Sequence, residues 1–198
     1  MQIHIVILFI YSFLLQDQNL QEGDIIFQTS QGSLGEAIQI ATHSPYSHVG
    51  IIFKKENQFM VLEAVQPVQI IPLRSWINRG KGGKYVIKRL KNAHKVLDSS
   101  VLGKMKQIGK TYLGRNYDIY FEWTDQRLYC SELVWKIYKE ATGLEIGQLK
   151  PLKEFDLASE AVRRKLKEHY GKNIPLDEKI ISPEALFQSD LLETVTLQ

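Results

Sequence analysis

The chain has a single cysteine among its 198 residues. That excludes an intrachain disulfide framework and any zinc or iron–sulfur site built from several cysteines. Six prolines and thirteen glycines are too few for a collagen-like or low-complexity chain. Charge of one sign is also lacking: 25 Lys and Arg stand against 22 Asp and Glu, a net +3. A dedicated nucleic-acid binder usually carries a strong basic excess, so no nucleic-acid partner is expected. Nor is there an apolar run long enough to span a bilayer, which takes about 20 residues. The most apolar stretch, Ile5 to Leu15, has eleven uncharged residues.

That stretch fits the apolar region of a secretory signal, although no Lys or Arg precedes it and no A-x-A site follows. A buried N-terminal strand or helix is the alternative reading. The expectation is a signal or apolar segment over 1–20, a secreted or periplasmic protein, and one domain over 21–198, a length ordinary for a single core.

The remaining pattern reads as helix, antiparallel strands, then helices, which is α+β rather than alternating βαβ. The run IIF after Gly23-Asp24 predicts a strand. Ser33 to Thr42 has helical spacing, with Ser33 as N-cap and Glu36 at the capping-box position. Val49–Phe53 and Phe59–Val65 flank the polar KKEN and predict a hairpin. Short strands are expected at Val68–Leu73 and Tyr85–Leu90, and helices at Val101–Leu113, Ser131–Ala141 and Phe155–Tyr170. A last short helix has Ser182 as cap and Pro183 at its first position. Gly114 to Tyr129 reads as an irregular, aromatic-rich loop. Lys81 to Lys95 holds six basic residues and no acid, the pattern of a solvated strand and loop.

Cys130 lies where that aromatic loop turns into a helix, in LYCSELVWKIY. A lone cysteine is most often a small buried hydrophobe. At a helix N-terminus, however, the positive end of the dipole favours the thiolate, which is the nucleophile. The first backbone N–H groups, Ser131 among them, are free donors for an oxyanion. A thiolate nucleophile needs a histidine partner. Of the five histidines, His4 falls in the apolar leader, His94 in a lysine-rich stretch and His169 at a charged helix end. His43 closes a helix, where a cation is favourable. His48 heads the strand VGIIF and is the preferred base. Glu63 interrupts the apolar strand MVLEAV, where a carboxylate is costly unless paired. With Lys55-Glu56 at the turn, His48 and Glu63 stand directly opposite, about 5 Å apart. Glu63 would then orient the imidazole, as the third member of a triad does.

The segments GDIIF, ATHSPYSHVGI, LEAV and YDIYFEW…LYCSELVWKIY, in this order, resemble the YiiX/YaeF-like branch of the NlpC-type cysteine hydrolases. The SPEAL stretch near the C-terminus is similar to that branch too. The resemblance implies a circularly permuted papain-like fold, with a central antiparallel sheet carrying helices. In it His48 and Glu63 precede the nucleophile Cys130 as base and orienting acid. It implies Tyr117 near the oxyanion site, and it matches Tyr46 and Ser47 just before His48, where they shape a groove wall. No cofactor or metal is implied. The activity implied is hydrolysis of an amide or ester in a peptide, cell-wall peptide or lipid-derived substrate, with cell-envelope association if the chain is exported. The alternatives are an acyltransferase of the lecithin–retinol type and a non-catalytic peptide- or lipid-binding module.

Export has a direct test. N-terminal sequencing of the protein recovered outside the cytoplasm should begin between Gln16 and Gln21; a first residue at Met1 in that fraction overturns cleavage.

Overall fold

The computed structural model describes residues 19–195, so the run Ile5 to Leu15 lies outside the described residues. In chain order the elements are β1 (Ile25–Gln28), α1 (Ser33–Thr42), β2 (His48–Lys55), β3 (Gln58–Glu63), β4 (Gln69–Pro72), α2 (Leu73–Arg79) and β5 (Tyr85–Leu90). Then come the single turn α3 (Ala93–Val96), α4 (Ser99–Tyr112), the two-residue strands β6 (Asn116–Tyr117) and β7 (Arg127–Leu128), and α5 (Cys130–Thr142). The chain closes with β8 (Lys150–Pro151), α6 (Glu160–Tyr170), β9 (Lys179–Ile180), α7 (Pro183–Phe187) and β10 (Leu192–Thr194). Six strands form one sheet in the order β10-β5-β1-β2-β3-β4, antiparallel at every pairing. This is the α+β architecture expected.

Strand alternation sorts the core into two layers. Ile25, Phe27, Val49, Ile51 and Leu62 face one side and pack with Leu133, Val134 and Ile137 of α5. Ile26, Ile52, Val61 and Ile87 face the other side and are covered by Leu73 and Trp76 of α2. The central helix α5 is buried along nearly its whole length, which fits the apolar CSELVWKIY. Gly143 ends it at φ 79°, a left-handed position that glycine adopts without a steric cost.

Several boundaries differ from the sequence pattern. The hairpin turn is Glu56-Asn57, so Lys55 pairs with Gln58 and Ile51 with Leu62. Continued one step, that register puts Glu63 opposite Gly50 rather than opposite His48. The slip is by two positions, so every side chain keeps its face. Helix α1 starts at Ser33 with Gly32 as its cap and no side-chain cap bond. Helix α6 starts at Glu160 rather than near Phe155. Ser159 caps it by accepting from the Val162 N–H (3.2 Å), while Asp156 turns the preceding chain by accepting from the Ala158 N–H (3.0 Å). The seven residues of α2 carry too short a pattern to show as a helix, and β10 is likewise found only in the fold. Asp24 is structural: it accepts from the Gln21 N–H (2.8 Å) and binds Arg89 through two bonds of 2.7 and 2.8 Å.

Gly50 leaves no room for a side chain. An ideal Cβ there would lie 2.5 Å from Val61 Cγ1 and 2.9 Å from the Leu62 carbonyl oxygen. Gly50→Ala should therefore destabilise the fold by roughly 1–3 kcal/mol, the usual range for overpacking. Urea unfolding measures it, and an unchanged midpoint would refute the tight β2–β3 contact.

Candidate active site

The start of α5 is held from several sides. Its first ladder bond runs from the Leu133 N–H to the Tyr129 carbonyl (3.0 Å), which leaves the N–H groups of Cys130, Ser131 and Glu132 outside the ladder. Buried Glu132 accepts from the Tyr129 N–H (3.2 Å) and pairs with Lys136 (2.7 Å). Burial drives its carboxyl up to about 8, against the pull of Lys136. The segment before α7 clasps the same turn: the Ser131 hydroxyl donates to the Ile181 carbonyl (2.8 Å), and the Ile181 N–H donates to the Tyr129 hydroxyl (3.2 Å). The SPEAL stretch thus serves a structural purpose, with Ser182 capping α7.

Cys130 is 2 % exposed, and its thiol lies beside the side chains of His48 and Tyr117, near enough to shift the titration of both. His48 is the first residue of β2, at the sheet's end, within reach of the start of α5. Its Nε2 lies 2.6 Å from Glu63 Oε2, which leaves Nδ1 for the thiol. The contact to Glu63 is diagonal across Gly50 rather than directly cross-strand. Diagonal neighbours on one face are about 7–8 Å apart at the backbone, a gap these two long side chains close. The imidazole also stacks on Trp76, with ring centroids 5.7 Å apart and planes at 23°.

Glu63 is fully buried. Besides His48 it accepts from Gln69 Nε2 (2.9 Å, on Oε1) and from Arg79 (on Oε2). Burial alone would raise its carboxyl, but the bond and charge of His48 and the bonds from Arg79 and Gln69 outweigh that and hold it near 2. For His48, burial opposes the charge, yet the hydrogen bonds and negative charges of Cys130 and Glu63 prevail and lift it to about 9. The Tyr117 hydroxyl lies beside the thiol and the backbone N–H of Cys130. Burial, then the charge of Cys130, push its hydroxyl well above the ordinary tyrosine range, so it stays a neutral donor.

Beside the sulfur opens a cavity with about 720 Å³ of empty space, its open mouth included. Leu34, Ala37 and Ile38 of α1 form one wall, and Val162 and Leu166 of α6 face them. Tyr117, Cys130 and Ser131 line its inner end, and Lys165 and His169 add the few charged or titratable groups. Tyr46 is not in this lining. It packs between Phe27 and Phe187, at centroid distances of 5.9 and 4.4 Å, and shapes the core beside β1. Ser131 reaches the cavity, but its hydroxyl is committed to Ile181. His43 pairs with Asp156 at 3.3 Å, away from the thiol. Among the described residues no three His, Cys, Asp or Glu side chains converge as metal ligands. Sequence reasoning missed Arg79, Gln69 and Trp76. The signal for Trp76 and Arg79 was weak, seven residues of pattern between Pro72 and Gly80.

The paired shifts set a pH dependence of stability. Glu63 ionises near 2 when folded and near its ordinary 4.5 when unfolded, so its contribution is whole above 4.5 and is lost as pH falls toward 2. His48 holds its proton to about 9 against an ordinary 6.5, so its contribution is whole below 6.5 and is lost as pH rises toward 9. Glu63→Gln should lower the melting temperature at pH 6 and flatten its fall between pH 4.5 and 2. Calorimetry across pH checks this, and an acid slope identical to wild type would contradict it.

Comparison with known proteins places the chain in a family. Residues 19–196 match the family described as "Permuted papain-like amidase enzyme, YaeF/YiiX, C92 family". The chain is 49% identical over 175 residues to the uncharacterized protein YiiX of Escherichia coli (strain K12), covering 88% of this chain and 85% of that one. It also superposes on the crystal structure of metalloprotein yiiX from Escherichia coli O157:H7 with a TM-score of 0.86 and 48% identity, covering 91% of this chain and 98% of that one. With the fold and most of its length in common, the chain belongs to the family of permuted papain-like amidases.

Proposed function

We propose that the chain is a thiol hydrolase that cleaves the amide or ester bond of an apolar acyl group. The observation that carries this reading is the placement of the Cys130 sulfur between a histidine and a largely apolar cavity of acyl-chain character. In this reading Cys130 attacks the carbonyl carbon. The Cys130 N–H and the Tyr117 hydroxyl stabilise the oxyanion, donors whose preorganisation counts most where water is excluded. His48 donates its proton to the leaving nitrogen or oxygen as the bond to it breaks, leaving a thioester on Cys130. Water then adds to the thioester carbon and gives a proton to His48, which returns it to sulfur as the acid departs. Glu63 orients the imidazole throughout.

Apolar walls favour a lipid-derived acyl group over a cell-wall peptide, whose polar groups would be desolvated there without partners. Burial of each methylene is worth about 0.8 kcal/mol, or about fourfold in kcat/KM. Across p-nitrophenyl esters from acetate to laurate, kcat/KM should climb steeply and then level off as the cavity fills. Cys130→Ser should abolish turnover with the fold intact. Equal rates for acetate and laurate would overturn the acyl assignment, and activity persisting in Cys130→Ser would overturn the thiol mechanism.

A further inference from the structure

The buried carboxylate Glu63 has a cationic partner that the triad itself does not require. Arg79, the last residue of α2, donates to Oε2, the same oxygen that receives His48 Nε2. Its side chain is 41 % exposed, so the guanidinium bridges solvent and the buried carboxylate. The backbone holds it there. Trp76, one turn earlier in α2, is the floor under the His48 ring. After Arg79 the chain presses on β1: an ideal Cβ on Gly80 would lie 2.2 Å from Gln28 Oε1, and Gln28 pairs with His48 across β1 and β2.

We propose that Arg79 is a positioning residue that cancels the charge of Glu63, so that the carboxylate orients His48 without retaining its proton. This rests on the reading of Cys130 and His48 as nucleophile and base. With the thiolate formed, charges alternate along Arg79, Glu63, His48 and Cys130 and sum to zero. When the sulfur becomes a neutral thioester, the row carries one excess positive charge. Transfer of the His48 proton to the leaving atom restores neutrality, so acylation itself drives that transfer. Without Arg79 the row would already be neutral after acylation with His48 still protonated, and the drive would vanish. An unpaired carboxylate this close would stabilise imidazolium at the expense of its role as acid. Arg79 weakens, without abolishing, the hold of Glu63 on the His48 proton.

The charged and titratable groups facing His48 are Cys130 of α5, Glu63 of β3 and, through Glu63, Arg79 of α2. Gln28 of β1, Gln69 of β4 and Trp76 of α2 bring no charge. Alkylation of Cys130 by iodoacetate separates the possibilities, because this anionic reagent reacts best while His48 is cationic. Its rate should follow a bell in pH, with the alkaline limb reporting His48. In Arg79→Gln that limb should move up by about one pH unit, the size expected when one charge near a titrating group is removed. Arg79→Lys keeps the charge and should leave the limb near its wild-type position. Arg79→Ala serves in place of Arg79→Gln if the latter is not recovered folded. An unmoved limb in a folded Arg79→Gln or Arg79→Ala, even with a lowered melting temperature, makes Arg79 merely structural and overturns the proposal. So does a limb in Arg79→Lys that moves as far as in Arg79→Gln. If His48→Ala labels with the wild-type profile, it is the underlying thiol–imidazole reading that fails.

Discussion

A carboxylate shut away from water is costly unless hydrogen bonds and opposite charge replace its hydration. Glu63 is fully buried, and its surroundings are organised by that demand. His48, Gln69 and Arg79 supply it with three donors from β2, β4 and α2. Those elements are neighbours because the six-stranded sheet brings β2 and β4 to either side of β3, and α2 follows β4 directly. The same demand fixes the imidazole: with Nε2 committed to Glu63 and the ring stacked on Trp76, Nδ1 has one direction left, toward Cys130.

The second constraint is the start of α5. A helix N-terminus leaves N–H groups without ladder partners. Here Glu132 satisfies the N–H before the helix, and the Ile180–Pro183 segment braces the first turn from outside. Tyr117 lies beside both the N–H and the thiol of Cys130, so these groups share one small volume. Side chains of α1 and α6 line the space beside Cys130, so the thiol of an otherwise buried cysteine borders a largely apolar cavity. The chain belongs to a family of permuted papain-like amidases, and the cavity beside its one cysteine is lined mainly by apolar side chains.

Much of this was legible in residues alone. The strands β1 to β3 and β5, a helix expected from Ser131 and found from Cys130, and the singling out of His48, which the fold sets against Glu63, followed from local period and context. Glu63 stood out because a charge in MVLEAV breaks an apolar strand. The pairing of His48 with Glu63 was reached through a turn placed one residue early. The contact survives because the resulting slip is even, which preserves the face while turning a direct pair into a diagonal one. Tyr46 matched a family pattern without showing its neighbours, and it packs with Phe27 and Phe187 instead of lining the cavity. Arg79 and Trp76 were hidden in a seven-residue helix too short to generate a readable period.

The amino-acid order by itself determined which residues could do chemistry, which elements carry them and which face of each strand they occupy, because these depend on periods of two and 3.6 residues along the chain. Only the tertiary structure decided that Gly50 stands between His48 and Glu63, that Arg79 joins the carboxylate, and that α1 and α6 enclose an apolar space beside the sulfur. These are meetings between segments far apart in sequence. They are set by how whole elements pack, and local patterns do not encode that packing.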